Sequence, residues 1–373
     1  MQNKKITIVL CGGHAATTAL STIEELTRRK KDTDWKLVWI GSNKAIEGKK
    51  VKPLESLIFE KLGLKTYSIV SGRLQRKFTL WTIPSLIKVP FGFVNAFFLI
   101  LKLRPNVVVS FGGYAAVPVV ISSWLLRVPV VIHEQTAAIG LANKLSLPFV
   151  KICCLSRKES KMYFKGNKTV LIGNPVMSQI SEIKEKDTLG NPPVIFIAGG
   201  SRGSQNINKI VYEILDKLLK KYKVIHITGE SDFDVFKKRK GILKNEFSKR
   251  YEVYPIVDPM QIDGIYKEAD IIVARAGANT VSEIIVTKRP ALLIPIPWSH
   301  LDEQKKNALV AQEIGIARIL EQDDLSDGRL LSEISILIKN RKEMVNKAKT
   351  NDNEILDREA SRKLVDQIVK FVN

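Results

Sequence analysis

Cysteine is scarce in this 373-residue chain, which has only Cys11, Cys153 and Cys154. An odd number without C-x-x-C spacing gives neither a disulfide framework nor a thiolate metal clamp, so all three read as free thiols. The four histidines, His14, His133, His226 and His300, show no H-x-x-x-H or similar ligand spacing, which leaves a metal site without support. Repeats and low-complexity tracts are lacking too, which excludes a solenoid or a disordered array. The start, MQNKKITIVLCGGH, puts basic residues before an apolar run, but that run is only about six residues long and leads into glycines. It reads as a first buried strand and not as a signal peptide, and the expected compartment is the cytoplasm.

What is present is the composition of a folded globular chain, 45% hydrophobic and 26% charged. The length suits two domains of about 150 to 200 residues, each with its own core. The net charge of +21 is unevenly placed: residues 1–168 hold 27 Lys/Arg against 9 Asp/Glu, residues 169–373 hold 32 against 29. An excess of +18 confined to one half points to an anionic surface met by that half, with nucleic acid and acidic membrane as the candidates. No RNP, helix-turn-helix or finger signature is present, so nucleic acid is not the expected partner.

Short β-branched apolar runs alternate with amphipathic stretches throughout, the pattern of parallel sheets covered by helices on both faces. Strands are predicted at 5–11, 36–41, 106–110, 129–133 and 150–154, then at 193–198, 223–228, 251–255, 270–274 and 291–295. A helix between the first two strands of the second half is marked by Ile207, Ile210, Val211, Ile214, Leu215 and Leu218. Glycine, proline and charges interrupt the periodicity at Gly173-Asn174-Pro175 and over 181–193, which places the domain break there.

The segment from Arg73 to Leu103 mixes basic residues with Phe78, Trp81, Phe91, Phe93, Phe97 and Phe98. Its longest charge-free stretch, Val89 to Leu101, is 13 residues, against the roughly 20 of a membrane span, and Pro84 and Pro90 interrupt the approach to it. Two readings fit: a core helix under a loop, or an interfacial patch whose aromatics enter headgroups while Arg73, Arg76, Lys77 and Lys88 meet anionic lipid.

Four glycine-bearing turns follow predicted strands: Cys11-Gly12-Gly13-His14, Phe111-Gly112-Gly113-Tyr114, Gly199 to Ser204, and Arg275 to Thr280. Each precedes a helix, where the first free N–H groups favour a phosphate and glycine admits a ligand close to the backbone. In doubly wound sheets such turns converge on a crevice beyond the strand C-termini. Ser201 and Arg202 suit a diphosphate, although a serine there also serves as a helix N-cap. Glu283, six residues after Gly277, is either a solvated helix glutamate or an acceptor for both hydroxyls of a ribose. His14, kept neutral by a helix N-terminus, is either a cap or a general base, and the same choice holds for His133-Glu134.

Taken in order, GGH near the start, SFGGYAAVP, VVIHEQ with GLANK, GNPV, GGSRGSQNIN, RAGANTVSEI and DEQKKNA resemble the MurG family of bacterial glycosyltransferases, over nearly the whole chain. The resemblance implies an α/β protein of the GT-B fold: two Rossmann-like doubly wound domains facing each other across a cleft. It implies an acceptor and membrane-facing domain over 1–172, a donor-binding domain over 173–353, and a C-terminal helix near 354–373 returning to the first. The implied activity is inverting transfer of N-acetylglucosamine from UDP-GlcNAc to undecaprenyl-pyrophosphoryl-muramoyl-pentapeptide, lipid I to lipid II, at the cytoplasmic face of the membrane. On the donor side, Ser201 resembles a phosphate contact. Ala278, Asn279, Thr280, Val281, Ser282 and Glu283 resemble the sugar, diphosphate and ribose segment, with Glu283 as ribose ligand. Gln304 resembles a contact to the GlcNAc hydroxyls, and the backbone near Val257 the place where uracil is read. On the acceptor side stand Cys11, Gly12, Gly13, Gly112, Gly113, Tyr114 and Glu134.

The chain departs from the family pattern at three sites. The family's G-G-T-G-G-H is Val9 to His14 here, its H-E-Q-N ends in Thr136, and its G-N-P-V-R ends in Met177. Arg202 stands where the family often has glutamine, a cation that would offset the missing arginine. In the implied single displacement, His14 deprotonates the acceptor hydroxyl, and helix N-termini at Ser201 and Ala278 stabilise the leaving diphosphate. No D-x-D pair stands in a suitable context, so no metal or other cofactor is expected. A GT-B transferase with another lipid-linked acceptor is the alternative within enzymes.

Overall fold

The computed structural model describes residues 6–13, 16–29, 35–42, 54–69, 82–200, 203–349 and 352–372. The chain divides into two units, Met1–Met177 with Glu359–Asn373, and Ser178–Arg358.

In the first unit the order is β1 (Ile6–Cys11), α1 (Ala16–Arg28), β2 (Trp35–Ser42), α2 (Leu54–Lys61), β3 (Lys65–Ile69), α3 (Thr82–Leu103), β4 (Val107–Ser110) and α4 (Ala116–Leu125). Then follow β5 (Val130–Glu134), α5 (Leu141–Ser146), β6 (Ile152–Leu155) and β7 (Thr169–Leu171). The strands form one sheet in the order β3-β2-β1-β4-β5-β6-β7, and every pairing is parallel. Chain direction reverses its walk across the sheet between β1 and β4, the switch point of a doubly wound fold. Val9, Val38, Val108 and Val130 on the strands pack against Ala96, Ile100 and Leu103 of α3 and Val119 and Val120 of α4. That interior excludes water from both helices' inner faces, at roughly 25 cal/mol for each Å² of apolar surface covered.

Helix α3 runs unbroken through Pro90, where the sequence suggested an interruption. Proline there removes one helical hydrogen bond, while Pro84 lies in the first turn, where the N–H has no helical partner in any case. Its inner face is buried at Ala96, Ile100 and Leu103, whereas Phe91, Val94, Phe98 and Leu101 are exposed. The core reading of this helix holds on its inner face, and the outer face leaves an apolar stripe exposed; Arg73, Arg76 and Lys77 lie outside the described residues.

The second unit runs α6 (Ser178–Ser181), β8 (Val194–Ala198), α7 (Gln205–Leu219), β9 (Lys223–Ile227), α8 (Glu230–Gly241), α9 (Asn245–Ser248), β10 (Tyr251–Tyr254) and α10 (Asp263–Glu268). It continues with β11 (Ile271–Ala274), α11 (Ala278–Thr287), β12 (Ala291–Leu293), α12 (Glu303–Glu313), β13 (Ala317–Ile319) and α13 (Asp327–Ala348). Its sheet, β10-β9-β8-β11-β12-β13, is again wholly parallel. The core joins Ile195, Ile197, Val224, Ile271 and Val273 of the strands to Ile207, Val211, Ile214, Leu215 and Leu218 of α7, which form one apolar helix face.

The last helix, α14 (Asp352–Val369), crosses the boundary between the units. From Glu359 onward it belongs to the first unit, where Leu364, Val365 and Ile368 are buried and Asp366 Oδ1 accepts from Arg29 Nη1 at 2.7 Å.

Candidate functional site

In a parallel sheet every strand ends on the same edge, so the loops after β8, β10, β11 and β12 gather at one rim of the second unit. The β8–α7 loop is built on glycine. A Cβ on Gly199 would fall on the Ser204 amide, and Gly203, at φ +76, would drive one into the Thr228 carbonyl. No other residue lets this loop lie so close to its neighbour. Ser204 caps α7, accepting from the Ile207 amide, and also accepts from Arg275 Nε at 3.1 Å. Ser201 and Arg202 lie outside the described residues.

The loop's outer support is a buried polar chain. Asn208 of α7 donates through Nδ2 to the Thr228 carbonyl at 2.8 Å and to Asp232 Oδ2 at 2.6 Å. Its Oδ1 is thereby left as the acceptor, 3.1 Å from His226 Nε2, so the imidazole carries its proton on Nε2 and accepts from the Tyr251 hydroxyl at Nδ1, 3.1 Å away. Burial pushes His226 down to about 3, which keeps the ring neutral and this pattern intact.

Arg275, at the end of β11, is buried and committed to the surrounding loops. Nη1 donates to the Ile294 carbonyl at 3.0 Å and Nη2 to Gln322 Oε1 at 2.7 Å, besides the bond from Nε to Ser204. It holds three loops in register, a positioning role.

Helix α11 starts at Ala278 after Gly277, without a side-chain cap, and its first internal bond is Val281 N–H to the Gly277 carbonyl. Ala278, Asn279 and Thr280 are half-buried at this start, while Val281, Ser282 and Glu283 are buried. Glu283 is thus no solvated helix glutamate: it retains 9% of its surface, and its Oε2 accepts from the Tyr266 hydroxyl at 2.6 Å. Burial raises its carboxyl to about 7, with the tyrosine bond opposing that rise.

After β12, Gln304 stands in the first turn of α12. Its Oε1 accepts from the Ile296 amide at 3.1 Å, and its backbone N–H donates to Ser299 Oγ at 3.3 Å. Before it, Leu301 and Asp302 both adopt left-handed backbone, at φ 50 and 54, a costly conformation for such residues that recurs at ligand-contacting loops. Val257 is half-buried in the loop after β10, next to a turn closed by the Met260 amide on Asp258 Oδ1.

In the first unit, the turns after β1 and β4 are knitted together. Gly13 N–H donates to the Gly112 carbonyl at 3.0 Å, and a Cβ on Gly113, at φ +85, would come within 2.7 Å of the Gly13 nitrogen. Cys11 contributes backbone here, since its thiol is buried in the core and pushed up to about 12 by burial. Tyr114 packs, half-buried, on the same core. His14 lies outside the described residues.

Glu134 ends β5 and is buried. Its Oε1 accepts from the Thr136 amide and hydroxyl, at 3.1 and 2.9 Å, and its Oε2 from the Gly140 amide and Asn143 Nδ2, both at 2.9 Å. Burial raises this carboxyl, and the hydrogen bonds counter the rise. Because Asn143 Nδ2 is fixed on Glu134, its Oδ1 faces Gly112, where a Cβ would stand 3.0 Å away. Glu134 therefore ties the β5–α5 loop to the glycine turn after β4. His133 is wholly buried and reaches the Gly173 carbonyl at 3.1 Å.

Sequence reasoning missed Tyr266, Asn143 and Asn208 as members of these clusters. The last two stand inside the quoted GLANK and GGSRGSQNIN runs, which was the available signal.

The model of the glycosyltransferase family 28 N-terminal domain matches residues 11–153, and that of the C-terminal domain residues 194–368. A protein of Clostridium botulinum (strain Langeland), named UDP-N-acetylglucosamine--N-acetylmuramyl-(pentapeptide) pyrophosphoryl-undecaprenol N-acetylglucosamine transferase, is 34% identical over 350 residues, 91% of this chain and 93% of its own. A Clostridium kluyveri protein of the same name is 32% identical over 376 residues, 98% of this chain and 99% of its own. Among solved structures, MurG of Acinetobacter baumannii matches with a TM-score of 0.68 at 22% identity, covering 98% of this chain and 99% of that one. The UDP-GlcNAc 2-epimerase of Neisseria meningitidis matches with a TM-score of 0.64 at 12% identity, covering 98% and 100%. These two likenesses establish the fold, a pair of Rossmann-like units of the GT-B kind. The matched domains and the extent of the sequence identity show that the chain belongs to glycosyltransferase family 28 and, within it, to the MurG family.

Proposed function

We propose that this chain is an inverting transferase that moves N-acetylglucosamine from UDP-GlcNAc to a polyprenyl-pyrophosphate-linked muramoyl-pentapeptide. Glu283 is the observation that carries the donor half: a buried carboxyl on the helix after a glycine-led, uncapped start, with a tyrosine and, among the described residues, no cation bonded to it. A carboxylate buried this way is costly, and is kept where a ligand uses it. The names of the curated relatives state this donor and this acceptor.

In this reading the ribose hydroxyls donate to Glu283, and uracil is read by the backbone at Val257. Gln304, whose Oε1 is held by Ile296, offers its Nε2 to a sugar hydroxyl. The acceptor hydroxyl attacks the anomeric carbon, its proton passes to His14, and the bond to UDP breaks with inversion. Charge gathering on the departing diphosphate meets the N–H groups at the starts of α7 and α11, and Ser201 and Arg202, which precede α7 in the sequence, would add a hydroxyl and a cation. The step as written needs no metal.

Membrane docking belongs to the same proposal. Helix α3 exposes Phe91 and Phe98, 65% and 62% open, on one stripe with Val94 and Leu101, and Trp124 and Leu125 are exposed on α4, which packs beside it. Lys102, Arg104 and Arg127 are exposed on or just after these helices, and the chain carries no Asp or Glu from Lys61 through His133. Apolar side chains entering the headgroup layer with cations around them suit an anionic surface, each cation contributing about 1 kcal/mol. No described helix is long and apolar enough to cross a membrane, so the docking proposed is peripheral, at the cytoplasmic leaflet. The test of the reading is UDP release from UDP-GlcNAc with and without a lipid I analogue; release that ignores the analogue would refute it.

A further inference from the structure

Tyr266 sits in α10, 1% exposed, with its ring edge-to-face on Phe196 of β8 at 5.6 Å and its backbone carbonyl accepting from Arg289 Nε at 3.0 Å. Ring and backbone are therefore both fixed, and so is the direction of the hydroxyl. That hydroxyl is 2.6 Å from Glu283 Oε2. Burial and the neighbouring carboxylate hold the phenol well above its usual range, so it stays protonated and is always the donor.

Other groups around Glu283 are engaged elsewhere. Arg289 Nη1 donates to the Thr287 carbonyl and Arg358 Nη2 to the Val286 carbonyl. From α12, Asn307 Nδ2 donates to the Ala276 carbonyl, and beside α6, Gln179 Nε2 donates to the Pro259 carbonyl. Among the described residues, the tyrosine is what acts on the carboxyl, and Glu283 Oε1 accepts no hydrogen bond.

We propose that Tyr266 is the positioning residue for the nucleotide's ribose: by donating to Glu283 Oε2 it stops rotation of the carboxyl and presents Oε1 to the ribose hydroxyls. This rests on the reading of Glu283 as the ribose ligand. A ribose diol has only protons to give, so the carboxyl must be ionised to accept both. Its rise to about 7 places that requirement at working pH, and the tyrosine bond, by favouring the charged form, keeps it met. Without the hydroxyl the carboxyl titrates higher, and ribose recognition fades at a pH where the native enzyme still has it.

The test is calorimetric affinity for UDP and for 2′-deoxy-UDP from pH 6 to 9, in the native protein, Tyr266→Phe and Glu283→Gln. The native protein prefers UDP, and the preference falls away below about pH 7, where the buried carboxyl takes up its proton. Tyr266→Phe moves that midpoint to higher pH by about one unit, so UDP binding drops about fivefold at pH 7 and recovers by pH 9. A loss of equal size at every pH, or an unmoved midpoint, would overturn the positioning role, because packing damage does not titrate. Glu283→Gln separates the two ideas. If it keeps the full preference for UDP over 2′-deoxy-UDP, the ribose reading itself fails, whatever Tyr266→Phe does. Thermal melts of Tyr266→Phe identify misfolding, and Tyr266→Trp, which restores an N–H donor without an acidic proton, gives a second variant in which a retained midpoint supports the donor role.

Discussion

Thr136 donates both its backbone amide and its hydroxyl to a single oxygen of Glu134, at 3.1 and 2.9 Å. The family pattern has asparagine at this position; here the threonine hydroxyl is a donor to the carboxylate. Two more donors, Gly140 and Asn143, hold the other oxygen, so this acid shapes the loop after β5. Thr136→Val keeps the shape and removes one donor. A hydrogen bond to a charged group is worth about 1.5–3 kcal/mol, so the variant should lose that much stability in the first unit and raise the KM for the lipid acceptor about tenfold. Donor affinity, measured separately by calorimetry, should stay as it is.

Gly203 has the strictest requirement in the second unit, with φ +76 and no room for a Cβ beside Thr228. Gly203→Ala forces the β8–α7 loop off the β9 end, and with it the phosphate contacts proposed there. Nucleotide binding should fall below detection by calorimetry, with the circular dichroism of the two sheets preserved.

Glu283 sets activity against stability. Its carboxyl lies at about 7 in the folded protein against an ordinary 4.5, so folding favours the protonated form. The resulting penalty is absent below about pH 4.5, grows as pH rises through 7, and stays in full above it. Glu283→Gln should therefore raise the melting temperature at pH 8, relieving a penalty on the order of 3 kcal/mol. The gap to the native protein should close by about pH 5 in thermal melts, while UDP binds more weakly.

The exposed stripe on α3 gives a separable outcome. Phe91→Ser with Phe98→Ser removes apolar side chains that bury little within the chain, so stability should change by less than about 0.5 kcal/mol. Flotation with anionic vesicles should drop several-fold, and turnover of a detergent-soluble acceptor should persist. Unchanged flotation would locate the membrane contact elsewhere.

The sequence exposed the sheets unevenly. Central strands such as β4 and β11 are buried along their whole length and read as apolar runs. The strands missed, β3, β7 and β13, are all at sheet edges and carry Lys65, Thr169 and Arg318 on half-exposed backbones, so no run or clean alternation marks them. At the site, the glycine turns were legible because backbone close approach demands a particular residue type. Their supports were not. Tyr266 lies 17 residues before Glu283, and Asn208 lies 24 before Asp232, so only the folded chain brings them together. The same holds for Arg275, whose side-chain partners include Ser204 and Gln322, 71 and 47 residues away.

The central claim is the identity of the transfer, and mass spectrometry of the product tests it most directly. Purified protein incubated with UDP-GlcNAc and a lipid I analogue, without added metal and with chelator present, should yield the acceptor plus one N-acetylhexosamine, in step with UDP release. Other polyprenyl-pyrophosphate sugars in parallel reactions should remain unmodified. An unmodified lipid I analogue beside a glycosylated alternative acceptor would contradict the account.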